Sequence, residues 1–457
     1  SHRLVAEAAA SRELGARLAR FRDEHGGWLV RDGLYAALFT SHHGAGFRHW
    51  PRDGDLWLAD DPARVARRAE LAAEHAETIE RYAVGQLLAH EAHARVRARA
   101  RSVGLALYGD LQVGYSDRDT WAYRAAFLPR YAMGAPPSRT NPEGQPWGYP
   151  VLDPDQLHDG GRASELVRAR LDKGFAEFDS LRIDHPHGLV CPWVYRTDTA
   201  NPQQAVRDGG RLYESPDLRD HLALARFAIA RPGQLDRTRP RYADDWVIGL
   251  DPDQIARYAR LFEVVDASAR RHGRAFEDLS CEVLSTMPRP LRCVIERYGL
   301  GRWRVTQKAN LDDARDVYRS EMAEPRDWVM LGNHDTRPIF ALVANFDPDA
   351  RDRWARHLVE RLALAPQHRA RLDQPGFLAT AMLAELFACR AENVSIFFAD
   401  LFGYTERFNT PGLVSDANWT LRLPSTFASL HASRVANGAA LDIPLALELA
   451  LAARRRT

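Results

Sequence analysis

Residues 178–188 read FDSLRIDHPHG. Leu181 and Ile183 alternate with Arg182 and Asp184, the period-two pattern of a half-buried strand. The run then stops in His185, Pro186, His187 and Gly188, a cluster of ionisable groups that no ordinary core accepts. Alternation puts the Arg182 and Asp184 side chains on one face, so the guanidinium can hold the carboxylate ionised and fixed. A buried structural ion pair is the plainer use of the same two residues.

Working outward, strand-like runs recur at residues 104–113 (GLALYGDLQV), 180–184, 278–283, 303–307, 328–332 and 393–400. Helical patterns separate most of them, for instance at 165–178, 252–271 and 352–364. Alternation of β and α predicts a parallel sheet covered by helices, of α/β class. A closed (β/α)8 barrel of TIM type needs eight strands, and six are readable. Two strands are therefore unrecognised or lie upstream of residue 1, and an open doubly wound sheet is the alternative. The first hundred residues read as helical, with one or two amphipathic helices over 61–101. Residues 44–58, with Trp50, Pro51, Trp57 and several glycines, read as an ordered loop. Residues 116–154 are rich in Gly, Pro and Trp without periodicity, which predicts a long functional loop. The expected division is a mainly helical insertion subdomain over 1–103 and a catalytic barrel portion, strands 3–8 with loop insertions, over 104–457.

Composition narrows the function. The chain has 457 residues, enough for a large domain or two, with 45% hydrophobic and 27% charged residues. A formal net charge of +1 gives no reason to expect nucleic acid as a partner. The positive charge is almost all arginine, with lysine only at Lys173 and Lys308. Cys191, Cys281, Cys293 and Cys389 have no framework spacing, so reduced thiols and a cytoplasmic location are expected. No apolar run reaches the roughly 18 residues of a membrane span, so no membrane partner is expected. No signal peptide opens the chain, which begins at Ser1 and is expected to start inside a longer gene product. Oligomeric state is not readable.

Acidic residues sit at the predicted strand ends: Asp110, Asp184, Glu282, and Asp335 just past the fifth strand. In parallel α/β folds the carboxyl ends of strands are where side chains leave the core and converge. A single acid there is usually a cap for the next helix; four in succession suit a site better. Glu282 follows Cys281 and precedes Val283 and Leu284, an apolar setting that favours the protonated form a general acid needs. Asp335 lies in GNHDT, where His334 could donate to a bound hydroxyl. Asn333 and Asp335 could equally satisfy a local turn. One carboxylate kept ionised and one kept protonated make up the apparatus of a retaining glycosidase. Trp121, Trp147, Trp193 and Trp419 offer flat faces for sugar rings, though each could be core.

LRIDHPHG resembles the RIDHFRG motif of the amylomaltases, the 4-α-glucanotransferases of glycoside hydrolase family 77. GDLQVGYSDRDTW followed by GAPPSRTNPEGQPWGYP is similar to the family's GD-P-I segment and its GAPPD…GQ-WG-P loop. CEVLSTMP with YGLGRWRVTQ resembles AEDLG…GLPGMKVLQF, and LGNHDT resembles GTHDN. FFADLFGYTERFNTPGLVSDANW is similar to the QD-LGL…RMN-PG…NW block. The resemblance implies Asp184 as nucleophile, Glu282 as general acid/base and Asp335 as transition-state stabiliser. It implies Arg182, His334, Asp110, Gln145, Trp147 and His185 as substrate-binding residues, with no metal and no organic cofactor. Glu277, in FEDLS, is a rival for AEDLG, but it lies five residues too far from the later Gly-Leu and Val-x-Gln. The implied reaction transfers segments of an α-1,4-glucan or maltooligosaccharide donor to a glucan acceptor by double displacement.

Several positions depart from the family pattern. Pro186 and His187 replace Phe-Arg, Cys-Glu-Val-Leu-Ser replaces AEDLG, Asn333 and Thr336 alter GTHDN, and Ser138 replaces the PPD aspartate. The family's amino-terminal segment, with the first two barrel strands and a glucan-touching loop, has no counterpart here and is expected upstream of residue 1. These departures keep open a non-catalytic α-glucan-binding protein and an α-glucan hydrolase. A metal-dependent hydrolase built on His185, His187, His334 and Asp335 is a further alternative.

Overall fold

The computed structural model describes residues 11–138, 141–215 and 222–455. They form two compact units, one running to Leu279 and taking in Pro288–Val294, the other made of Ser280–Met287 and the chain from Ile295 onward. Among the described residues, no helix is long and apolar enough to cross a membrane.

The first unit opens on helices. Ser11 caps Arg12–Ser41 by accepting from the Leu14 N–H, and Asp61 caps Pro62–Glu74, which has proline in its first turn where the missing N–H costs nothing. Arg12–Ser41 packs on Ala76–Ser102 through Leu18, Phe21 and Leu29 against Ala83, Val84 and Leu87, as helical spacing of apolar residues requires. Strand β1 (Tyr108–Leu111) follows.

Residues 116–154 depart from the expected loop. They hold the strands β2 (Phe127–Ala135) and β3 (Gln145–Leu152), which pair antiparallel. After β4 (Ser180–Ile183) come β5 (Trp193–Arg196) and β6 (Gly210–Arg211), completing a four-stranded antiparallel sheet of order β3-β2-β5-β6. The β2–β3 register shifts twice, and Arg130 takes a φ of 65°. Such bulges destroy period two, which is why the sheet left no alternating signal. Residues 139–140 of the motif GAPPSRTNPEGQPWGYP lie outside the described residues.

β4 pairs parallel with β1, Asp110 opposite Arg182 and Leu111 opposite Ile183. Asp179, at the entry to β4, accepts from the Leu107 N–H at 2.9 Å and from Arg97 and Arg101 at 3.0 and 2.6 Å. Burial opposes its ionisation, but that N–H and the two guanidiniums prevail and hold its carboxyl far below the usual range. The helix Ala76–Ser102 is thereby tied to the register of the β1–β4 pair. The helix Arg162–Glu177 enters β4, and Arg260–Arg271 packs beside that helix. The expected helix over 252–271 is two, Pro252–Tyr258 and Arg260–Arg271.

The second unit begins with β7 (Ser280–Cys281). Its parallel sheet has the order β10-β9-β8, from β8 (Trp303–Val305), β9 (Trp328–Met330) and β10 (Asn393–Ser395). The helix Pro375–Ala388 is apolar around nearly its whole circumference, so it must be buried on all sides. It meets Ile339, Val343, Leu358, Ala446 and Leu449 of the surrounding helices. Its Glu385 is buried but bonded, to Ser320 Oγ at 2.5 Å and His357 Nε2 at 2.7 Å. All six expected strands are present and each is shorter than expected, most of all β1, β7 and β10; the last gives way to a helical turn at Phe398–Leu401. Among the described residues, nothing before β1 is strand.

Candidate active site

In the first unit the site residues gather where β1 and β4 end. Register places Asp110 and Arg182 side by side across the ladder. Arg182 Nη1 donates to Asp110 Oδ1 at 2.6 Å, and Nη2 donates to Asp184 Oδ1 at 3.0 Å. One planar guanidinium thus holds two carboxylates, a geometry lysine cannot reproduce. The Arg182 side chain is 13% exposed, Asp184 28% and Asp110 49%, so the carboxylates stay accessible above a shielded cation. The Asp184 N–H donates to Leu111 O at 3.0 Å, extending the ladder to the residue of interest.

His185 takes a φ of 47°, turning the chain sharply off the strand. Its ring lies 5.0 Å from Trp147, edge to face, and 5.1 Å from His187. Trp147 Nε1 donates to Gln145 Oε1 at 3.1 Å, so β3 delivers Gln145, Trp147 and Tyr149 to this rim. Tyr149 was not anticipated. Burial raises its phenol, and the charge of Asp184 raises it further. Gly188 closes the turn because a Cβ there would lie 2.2 Å from Val113 Cγ2. The helix His187–Val190 therefore packs under the nucleophile candidate.

The second unit holds Glu282, Asp335 and His334. Glu282 follows β7 and is 4% exposed. The Trp303 N–H donates to Val283 O at 3.1 Å and its indole to Ser280 Oγ at 2.7 Å, clamping the backbone on both sides of the glutamate. After β9, Asn333 Oδ1 accepts the Asp335 N–H at 3.0 Å, and Thr336 Oγ1 accepts the Asn333 N–H at 2.9 Å. The two departures in GNHDT therefore build the turn. Asp335 is left to accept from Asn409 Nδ2 at 2.6 Å, with His334 Nε2 3.6 Å from its other oxygen. Gly332 is required because a Cβ would lie 2.6 Å from Thr336 Oγ1 and 3.2 Å from Asp400 Oδ2. Asp400, 1% exposed, accepts the Ile339 N–H at 2.7 Å and braces the loop. Burial pushes its carboxyl up to about 7.

Lys308, one of the two lysines, sits just after β8 with its ammonium 5.9 Å from the Tyr318 ring. Burial lowers its pKa, while Asp335 and Glu282 act in the opposite direction. Asn409, Lys308 and Asp400 were missed from sequence. Asn409 and Asp400 were visible in the FFADLFGYTERFNTPG stretch already matched to the family, whereas an isolated lysine gives no local signal.

The four tryptophans separate. Trp121 is fully buried with its indole on Asp53 O, and Trp193 is 3% exposed with its indole on Val206 O, so both are core. Trp147 is half-buried at the rim, and Trp419, 50% exposed, lies 5.4 Å from His334. The Asn141 N–H donates to Ser138 Oγ at 3.1 Å. Glu321, His357 and Glu385 lie close enough together to hold a cation. Arg319 already pairs with Glu321 at 2.6 Å and Arg361 lies 3.7 Å from Glu385, which makes the group an ion-pair network. The four cysteines are free thiols.

The fold and the site define an α/β protein with carboxylates at the ends of parallel strands, flanked by tryptophan and histidine. A family model described as 4-alpha-glucanotransferase matches residues 2–427, and the chain belongs to that family, glycoside hydrolase family 77. It is 28% identical over 181 residues to the chloroplastic/amyloplastic 4-alpha-glucanotransferase DPE1 of Oryza sativa subsp. japonica, covering 38% of this chain and 29% of that protein. It is 26% identical over 219 residues to the 4-alpha-glucanotransferase of Synechocystis sp., covering 46% of this chain and 40% of that one. The aligned stretches thus span about a third of these relatives' own lengths. The fold is that of the amylomaltase from Streptococcus agalactiae, solved in complex with acarbose, with a TM-score of 0.69 at 16% identity over 95% of this chain and 77% of that one. The amylomaltase from Corynebacterium glutamicum gives a TM-score of 0.60 at 17% identity, covering 94% of this chain and 57% of that one.

Proposed function

We propose that the chain is a retaining 4-α-glucanotransferase acting on α-1,4-glucans and maltooligosaccharides. The observation that carries this is the Arg182 fork on Asp110 and Asp184, in a chain whose family is fixed over residues 2–427. Asp184 attacks the anomeric carbon of the donor while Glu282 gives its proton to the departing 4-oxygen. The bond between the two sugars breaks, a covalent glucosyl-Asp184 ester forms, and the reducing-end fragment leaves. Glu282, now a base, takes the proton from the 4-hydroxyl of an acceptor, whose oxygen displaces Asp184 and restores the α-linkage. Asp335, steadied by Asn409, stabilises the oxocarbenium-like transition state, and Trp147 and Trp419 supply stacking faces for sugar rings.

Supporting this reading, the acarbose complex of the streptococcal relative concerns an amylomaltase of the same fold. The parallel ladders of β1 with β4 and of β8, β9 and β10 support a (β/α)8 barrel carrying residues 1–103 as a helical insertion. Free cysteines fit a cytoplasmic setting.

Incubation with maltotriose tests the activity. A ladder of longer and shorter maltooligosaccharides is expected; shortening alone would identify a hydrolase, and no change with maltotriose or starch would favour a binding protein. Asp184→Asn should abolish turnover, and retained activity would remove the nucleophile assignment.

A further inference from the structure

A second concavity lies within the first unit, apart from the strand-end carboxylates. It has a volume of about 470 Å3 and runs along the helices Pro252–Tyr258 and Arg260–Arg271. An adjoining hollow of about 560 Å3 continues it, sharing Leu157, Arg260 and Glu263 as common wall. Arg260, Val264, Ala267 and Arg271 recur at helical spacing along the second hollow, so one helix face lines its length. Both volumes fall in the range of small-molecule sites.

The lining has two characters. Tyr213, Phe227 and Tyr258 stand in the wall, the tyrosine rings edge to face at 6.0 Å, with Tyr258 and Phe227 buried and the Arg226 guanidinium 4.4 Å from the Phe227 ring. Three arginines, Arg226, Arg257 and Arg260, share this lining. Arg226 is matched by Asp155 at 2.8 Å. In the adjoining hollow Arg271 is matched by Asp172 at 2.9 Å. Arg257 and Arg260 are exposed and make no ion pair or hydrogen bond among the described residues. Two guanidiniums three positions apart on adjoining helices, without an ion pair among the described residues, thus share one lining with aromatic rings.

We propose that this groove binds a small phosphorylated metabolite, its phosphate taken by Arg257 and Arg260 and its ring-bearing body lying against Tyr213. Guanidiniums match phosphate oxygens in paired, charge-assisted hydrogen bonds, whereas a neutral glucan would leave both cations unmatched. The half-buried Tyr213 ring suits the face of a sugar or a base. Leu189 also lines the groove, and it belongs to the helix His187–Val190 that follows Asp184. A ligand here therefore touches the turn beneath the proposed nucleophile, which gives the site a route to influence turnover.

Isothermal titration of the full chain with glucose 1-phosphate, glucose 6-phosphate, ADP and inorganic phosphate tests this. At least one organic phosphate should bind in the submillimolar range, and Arg257→Gln/Arg260→Gln should weaken it by about tenfold or more. A sugar phosphate as the tightest ligand identifies a sugar body, and ADP as the tightest identifies a nucleoside body. Maltotriose turnover of the double variant without phosphates should match that of the parent. The proposal is overturned if no organic phosphate binds, if the double variant binds equally well, or if inorganic phosphate binds as tightly as the organic compounds. Because binding is read directly, these outcomes hold whatever reaction the strand-end carboxylates perform.

Discussion

Arg182 and Asp184 are two residues apart on one strand face, and the guanidinium that reaches Asp184 at 3.0 Å also reaches Asp110 on the neighbouring strand at 2.6 Å. The cation is shielded and both acids face outward. Position is therefore imposed on Asp184 from two strands at once. Arg182→Lys keeps the charge but loses the fork, so kcat on maltotriose should fall by about a hundredfold with a much smaller change in KM. A variant with kcat near the parent's would show that the fork positions nothing.

Asn409 donates to Asp335 at 2.6 Å from a segment 74 residues away. Asn409→Ala should lower kcat about tenfold, the size of one lost hydrogen bond to a charged group. Asn409→Asp should do more, because it sets a like charge against Asp335. Profiles of kcat against pH for both variants check this; coincident profiles would remove Asn409 from the site.

Asp179 anchors the entry to β4 through Leu107, Arg97 and Arg101. Removing it leaves the shielded Arg97 and the half-exposed Arg101 without this counter-charge, so Asp179→Ala should cost about 2 kcal/mol at pH 7. The folded carboxyl is lowered, so its contribution is complete above the ordinary carboxylate range near pH 4 and fades as pH falls below it. Urea unfolding at neutral and at acid pH should show the gap between parent and variant closing toward acid. A constant gap would mean that packing, not charge, is lost.

Glu214 behaves oppositely. It is 2% exposed, with Arg211 3.8 Å away. Burial pushes its carboxyl up to about 7, Arg211 opposing and Asp244 adding to the rise. Between about pH 4 and pH 7 the unfolded chain has shed a proton that the folded chain keeps, so stability declines as pH rises and levels off above 7. Glu214→Gln should remove that decline, making the variant relatively more stable at pH 8 than at pH 5. Parallel stability curves for the two proteins would refute it.

Local pattern was enough for the strand ends. The alternation in FDSLRID placed Arg182 and Asp184 on one face, and the two do bond. Asn333 and Asp335 were read as either site or turn, and the fold uses them for both: Asn333 closes the turn and thereby frees the Asp335 carboxylate for Asn409. The antiparallel sheet of β2, β3, β5 and β6 was illegible because its register shifts and the positive φ of Arg130 break the period. Trp121 and Trp193 resembled sugar platforms only because burial cannot be read from residue type.

By itself, then, the sequence determined the alternation of strands and helices, the order of the acids along the chain, and the motifs that mark its family. Those depend on neighbours within a few residues, where φ/ψ preference and side-chain periodicity act directly. The tertiary structure alone decided that one arginine serves both Asp110 and Asp184, that Asn409 steadies Asp335, and that Arg257 and Arg260 line one groove without an ion pair among the described residues. Each is a meeting, or a failure to meet, of charges held by different elements, and only the folded backbone fixes those distances.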